Sequence, residues 1–444
     1  MLRKTLLSMV LLTSTGSLTQ VLWAKPQLPL EEIVWVSDVE LRYYPQIKEQ
    51  RNFVIDHRKA KGFEVYGPRG MKAWLLEHQI PFSEPQLSNK EREDLAASYP
   101  SFEQVEAKLK GLAEKYPVQT QLITVGQSVR GKNLYFLKIS KNAAQDLHLP
   151  EFKYISSMHG DEITGRELTL SLAEEILAKY GTDPQITELV DNTEIFIMPS
   201  MNPDGSEART RWNANRSDLN RDFPDFTSDN NNSVDGREVE TKAIMKFQDQ
   251  RNFALSANFH GGSEVVNYPW DTTETPHPLD NLIQSLSLSY AKLVPYIFNS
   301  SEFPQGIVNG FAWYEVNGGM QDWSEHWYND LQVTVELSNA KWPSYSQIPS
   351  FYQENKAALL QFIKNVHQGA GFYFKDSTEA GTVSIQKAGK EIGTYNFRNG
   401  EFYRVLEPGA YDFVVTGRNE RSFQFSQVVV TDAVVAGGNY RELE

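Results

Sequence analysis

Apolar positions follow three different rhythms along this chain. In the middle, helical and strand periods alternate. Val105, Leu109, Leu112 and Ala113 recur at helical spacing and stop before Pro117, which predicts an amphipathic helix. Apolar runs at Gln121 to Val125 and Asn133 to Ile139 predict strands. A strand from Lys153 to Ser157, a helix from Gly165 to Tyr180 and a strand from Glu194 to Met198 follow. Helices near Gln284 to Leu293 and Phe351 to Val366 continue the series. Such alternation predicts an α/β body over residues 96–369: a doubly wound, mixed but mostly parallel sheet with helices on both faces.

The two ends read differently. Ile33 to Val36 and Phe53 to Ile55 look like short strands, and Gly70 to His78 like a helix with Met71, Trp74 and Leu75 on one side. Residues 25–95 thus form a small β/α lead-in. It could cover the main body as a prosegment would, or pack beside it; the lack of an obvious processing site after it favours packing beside. After Gly369-Ala370-Gly371 the helical spacing vanishes. Thr382 to Ile385, Tyr411 to Val415 and Ser422 to Val430 alternate with turn residues such as Pro408-Gly409. Residues 370–444 are therefore expected to make a small β-sandwich of about seven strands.

Composition narrows the chemistry. The 444 residues carry a formal charge of −14, which argues against non-specific nucleic-acid binding. There is no cysteine, so disulfides and thiolate ligands are excluded and any metal must be held by His and carboxylates. Arg3 and Lys4 precede the apolar run Leu6 to Leu12, with a possible cleavage point after Ala24. Residues 1–24 read as a secretory signal, which makes the mature protein secreted or periplasmic, with no membrane span once the signal is removed.

His159-Gly160-Asp161-Glu162 follows the apolar run Tyr154 to Met158, and His260-Gly261-Gly262 follows another. A His and a Glu on one loop can close on a single cation, and a second His can complete the set. Three protein ligands with a fourth position left for water is the usual catalytic zinc arrangement. Glu336 stands in the otherwise apolar run Val333 to Leu337. A carboxylate there is costly unless it is paired or functional.

These segments, with Asn202-Pro203-Asp204-Gly205, Asp218 to Pro224, Trp313 to Asp322 and Val335 to Ser338, resemble the zinc metallocarboxypeptidases. Within them the chain is similar to the regulatory branch that includes carboxypeptidases D, M, N and E, over roughly residues 100 to 435. The resemblance implies one Zn²⁺ on His159, Glu162 and His260. Asp218 would accept the spare ring proton of His159, or else merely cap a turn. Glu336 would be the general base, taking a proton from water and passing it to the leaving amine. Arg211 would meet the developing oxyanion, while Asn220 and Arg221 grip the substrate's free C-terminal carboxylate. Tyr314 would close over it, on a loop loosened by Gly318-Gly319. Asp271 would select basic C-terminal side chains, with Gln321 as its polar neighbour. The β-rich tail resembles the transthyretin-like domain of that branch. Two departures stand out: Asp161 lies where Asn or Arg is common, adding negative charge beside the metal, and Trp270 replaces a Tyr found in some members.

The implied activity is removal of C-terminal Lys or Arg from peptides or proteins. Two other readings stay open: an amidase acting on cell-wall peptides or another amide, and a non-catalytic peptide-binding relative. The Asn220-Arg221 pair and Asp271 speak against the first, and the complete set of matched residues against the second.

Overall fold

The computed structural model describes residues 32–50, 52–84, 99–228, 230–418, 421–431 and 439–443. The expected signal, residues 1–24, lies outside them. No helix among the described residues is long and apolar enough to cross a membrane.

The lead-in folds as a four-stranded antiparallel sheet. Its strands are β1 (Glu32–Ser37), β2 (Val54–Lys59), β3 (Gly62–Gly67) and β4 (Phe82–Ser83), in the order β2-β3-β1-β4. Val34, Val36, Ile47, Phe63, Val65, Met71 and Leu75 are buried together between this sheet and two short helices. The unit therefore has its own core.

The central sheet has eight strands: β5 (Thr120–Gln127), β6 (Asn133–Ile139), β7 (Glu151–Ser156), β8 (Glu194–Met198), β9 (Phe253–His260), β10 (Ser263–Tyr268), β11 (Ile307–Asn309) and β12 (Leu331–Ser338). Their order is β11-β10-β12-β9-β7-β8-β6-β5. The middle of the sheet, β12-β9-β7-β8, is parallel throughout, while β10-β12, β6-β8 and β5-β6 are antiparallel. Side chains alternate between two cores, as a period of two requires. Leu137, Phe152, Tyr154, Ile195 and Ile197 face one core; Leu134, Phe136, Ile155, Phe196 and Met198 face the other. Helices Phe102–Lys115, Thr164–Lys179, Pro184–Asn192, Asp280–Ala291 and Ile348–Lys364 cover the first face. The other face is covered by Val239–Gln248 and Met320–Tyr328, two helices that the apolar spacing does not mark.

The helix at Phe102 starts where the sequence allows it. Ser101 accepts from the Gln104 amide at 3.3 Å, and Gln104 accepts from the Ser101 amide at 2.8 Å, which forms a capping box.

The tail forms two small sheets of seven strands among the described residues. One is three-stranded, with β13 (Gly369–Phe374), β16 (Glu401–Val405) and β19 (Tyr440–Leu443). The other is four-stranded, with β14 (Gly381–Lys387), β15 (Lys390–Phe397), β17 (Gly409–Gly417) and β18 (Ser422–Val430). Phe372, Phe374, Phe402, Ile385, Phe413 and Phe425 from both sheets share one core.

Candidate active site

Three strands converge on one cleft. β7 and β9 are parallel neighbours, with Ser156 opposite Phe259. His159 lies three residues past the end of β7, and His260 is the last residue of β9. Both imidazoles thus leave the sheet at its carboxyl edge, where open α/β sheets bind ligands. β12 runs parallel beside β9 and places Glu336 directly opposite His260.

The metal-binding set is assembled. His159 Nδ1, His260 Nδ1 and Glu162 Oε2 form a triangle with sides of 2.9, 2.7 and 3.0 Å. All three residues are buried. Two ring nitrogens and a carboxylate oxygen cannot satisfy one another with the protons available. Glu162 Oε1 and His260 Nε2 have no hydrogen-bond partner at all. Lone pairs converging in this way call for a cation, and two His with one Glu is a donor set suited to zinc.

Asp218 orients this set from behind. Its Oδ1 lies 3.1 Å from His159 Nε2, which leaves Nδ1 of that ring facing the triangle. Its Oδ2 accepts from Arg211 Nε at 2.8 Å. The same carboxylate also caps the turn at Asn220, whose amide lies 2.9 Å away. One carboxylate thus touches both the His159 ring and the turn at Asn220.

Arg211 is buried and reaches the cleft. Asn220 commits its Oδ1 to the Met320 amide at 3.0 Å, so its Nδ2 is the end that can serve a ligand. Arg221 donates to its neighbour's carbonyl, Asn220 O, at 2.9 Å. Tyr314 sits at the end of the short helix Gly310–Trp313 and is buried. The glycines after it do more than loosen a loop. Gly318 holds φ at +75°, and a Cβ there would lie 2.7 Å from the Arg221 carbonyl. Its amide donates to Asp225 at 3.0 Å, and its carbonyl accepts from Phe223. Here glycine serves close approach as well as freedom.

Asp271 enters the same cleft from the loop after β10 and is 5% exposed. Gln321 Nε2 donates to it at 2.8 Å and to Asn267 Oδ1 at 2.9 Å. Asp322 accepts from the backbone amides of Asp271 and Thr272, each at 2.9 Å, and so fixes where Asp271 points. Burial pushes the Asp271 carboxyl up to about 7; the Asn267 contact and the Arg221 charge pull the other way without offsetting it. Burial likewise pushes the Asp161 carboxyl up, against the pull of Lys341.

Two residues of the cleft come from the lead-in and carry no motif. Asp56 and His57, on β2 of the lead-in, line it together with His159, Arg211, Asn220, Arg221, His260, Asp271, Tyr314 and Glu336. Asp56 Oδ2 lies 2.6 Å from Arg211 Nη1, and its Oδ1 accepts from the Tyr314 hydroxyl at 2.9 Å. His57 Nδ1 is 2.8 Å from Asp56, and its Nε2 is 3.8 Å from Glu336. Burial alone would raise Asp56, but Arg211, His57 and Lys341 hold it well below the usual carboxylate range. The lead-in does not simply pack beside the main body, as its sequence suggests; it reaches into the cleft. The only trace in sequence is that the apolar strand Phe53 to Ile55 gives way abruptly to Asp56-His57-Arg58-Lys59.

Comparison with known proteins agrees with this geometry. The zinc carboxypeptidase family model matches residues 105–358. Carboxypeptidase D of Homo sapiens is 40% identical over 348 residues, covering 71% of this chain and 25% of that protein. The chain thus spans about a quarter of the length of that relative. Carboxypeptidase M of Mus musculus is 40% identical over 344 residues, covering 71% of this chain and 77% of that one. Among solved structures, carboxypeptidase A from Helicoverpa armigera has a TM-score of 0.61 at 19% identity, covering 74% of this chain and 95% of that one, which is a likeness of fold. On the family match and the curated relatives, the chain belongs to the zinc carboxypeptidase family.

Proposed function

We propose that this protein is an exopeptidase that hydrolyses the last peptide bond of peptides or proteins ending in Lys or Arg. The observation that carries the reading is the charge layout of one cleft. Arg211, Asn220 and Arg221 line it together with a buried acid, Asp271. A substrate's terminal carboxylate suits the guanidinium fork of Arg221 and the free amide end of Asn220. A basic side chain suits Asp271, whose carboxyl is pushed up to about 7 for want of a sufficient counter-charge. An apolar side chain in its place would leave that acid buried and unpaired.

Zinc held by His159, Glu162 and His260 supplies Lewis-acid polarisation and makes water acidic enough to attack near neutral pH. Glu336 keeps one carboxylate oxygen, Oε2, without a hydrogen-bond partner. It accepts a proton from the attacking water and delivers it to the leaving amine. Arg211, fixed by Asp218, donates to the oxygen on which negative charge develops. Tyr314 closes against the bound carboxylate.

The deciding assay uses three peptides that differ only in a C-terminal Arg, Leu or Arg amide. The Arg peptide is expected to turn over fastest and the amide not at all. Equal rates on Arg and Leu would end the basic preference, and cleavage of the amide would favour the amidase reading. Chelation is expected to abolish turnover, and zinc to restore it.

A further inference from the structure

We propose that the cavity between the central body and the C-terminal sheets binds a short neutral oligosaccharide, whatever reaction runs in the catalytic cleft. The cavity measures about 380 Å³. That falls within the roughly 300–1,000 Å³ of small-molecule sites, which favour domain joints. Separate parts of the chain wall it. The loop after β10 brings Trp270, the helix Met320–Tyr328 brings Glu325 and Trp327, the edge strand β15 brings Tyr395 and Asn396, and β16 brings Arg404. Trp270 and Asp271 are neighbours in the chain, yet Asp271 lines the cleft and Trp270 lines this second cavity.

Two residues of its wall hold polar atoms without partners. Glu325 and Arg404 are 5% and 2% exposed. Glu325 Oε1 accepts from His277 Nε2 and from Arg404 Nη2, each at 3.0 Å. Glu325 Oε2 and Arg404 Nε make no hydrogen bond. Buried polar atoms left unmet are costly, so a ligand that meets them gains affinity. One is an acceptor and the other a donor, on side chains already paired with each other. A hydroxyl serves both, accepting from the guanidinium and donating to the carboxylate. A simple cation or anion serves one and is repelled by the other. The surroundings add no net charge. The Leu279 amide donates to His277 Nδ1 at 2.9 Å, which leaves that ring neutral with its proton on Nε2. Burial pushes the His326 ring below its ordinary value. No other acid, lysine or arginine among the described residues lines the cavity.

Aromatic rings stand around this pair. Trp270, Trp327 and Tyr395 share the wall, and the Arg404 guanidinium packs 4.2 Å from the centre of the Tyr395 ring. A sugar ring matches such a wall, with C–H bonds across its faces and hydroxyls around its edge. The C–H faces suit the electron-rich faces of Trp and Tyr. The hydroxyls suit the Glu325–Arg404 pair, and the exposed amide of Asn396 can both give and accept a hydrogen bond. A purely apolar ligand would leave Glu325 and Arg404 unmet.

The test titrates the full zinc-loaded chain by calorimetry with mannotriose, cellotriose and triacetylchitotriose, and separately with choline and acetate. At least one trisaccharide is expected to bind with a Kd of about 1 mM or below. Mannotriose as the best ligand points to the sugar chains of glycoproteins; cellotriose or triacetylchitotriose points to structural polysaccharides. Trp327→Ala removes one ring of the wall. Thr394→Trp fills the cavity from an exposed position of β15. Each is expected to weaken binding at least tenfold with the melting temperature unchanged. Should Trp327→Ala lower the melting temperature, Thr394→Trp decides alone. Failure of all three trisaccharides to bind overturns the proposal, as does binding that survives either folded variant. Choline or acetate bound in this cavity in place of any saccharide overturns it as well.

Discussion

The two small β units at the ends of this chain attach to the same body by different physics. The C-terminal sheets are fused to it. Tyr403 and Val405 belong to the central core, and Arg404 is buried against Glu325 at 3.0 Å, with His277 on the same carboxylate. Arg398 reaches the Trp327 carbonyl at 2.7 Å, and His148 pairs with Glu401. The N-terminal unit keeps a core of its own and meets the body largely through charged and polar groups, several of them in the cleft, with Tyr44 packed on the Trp313 cluster and Tyr66 edge-on to Trp212 as its aromatic contacts. Shared apolar burial makes a permanent joint, whereas complementary charge makes one that a competing charge can replace. On this contrast, damage at the C-terminal joint should register as instability, and damage around the cleft as altered turnover.

Substitutions can break or sharpen that division. The largest effect is expected in the cleft, where Glu336→Gln should lower kcat about 10²–10⁴-fold with zinc content and melting temperature unchanged. A simultaneous loss of stability would blur the contrast. At the C-terminal joint, Arg404→Met leaves Glu325 short of its buried partner. It should cost about 3–5 kcal/mol of unfolding free energy, read from denaturant midpoints, with KM in the folded fraction unaltered. Asp271→Ala should lower kcat/KM for a C-terminal Arg peptide by about 2–5 kcal/mol in barrier terms and raise it for a Leu peptide, which no longer leaves a buried acid unpaired. The smallest effect is expected at the rim of the N-terminal joint. There Lys48→Ala removes a partly exposed pair with Glu315 and should change stability by about 0–1 kcal/mol.

Acidity offers a separate handle on the cleft. Burial raises the Asp271 carboxyl to about 7. It is therefore neutral below that pH and charged above it. The preference for Arg over Leu, measured as a kcat/KM ratio, should grow as pH rises through about 7, because kcat/KM reports the free enzyme. The sign for stability is opposite. A carboxyl whose folded value lies above its unfolded value of about 3.9 favours the fold when protonated, so its contribution fades as pH climbs from about 4 to about 7.

Much of the cleft was legible in sequence because its residues sit where strands end. A ligand pair such as His159 and Glu162 shows through local spacing, and Glu336 shows because a charge interrupts an apolar strand. The doubly wound sheet was legible for the same reason, through switches of period. Helices Val239–Gln248 and Met320–Tyr328 were not, because they carry polar and aromatic residues that pack on the second face only once the sheet exists. Asn267, Asp225 and Asp322 escaped notice because their work is to hold other residues. Asp56 and His57 were hidden more deeply. Their partners lie more than a hundred residues away, and nothing in the local pattern says where β2 will dock.

The side-by-side register of β9 and β12 has a further consequence. His260 and Glu336 are cross-strand partners, and an offset of one residue would turn the glutamate to the opposite face of the sheet. On the role proposed for Glu336, activity doubles as proofreading of the fold: a chain that collapses with those two strands mispaired would be catalytically silent even if it stayed compact.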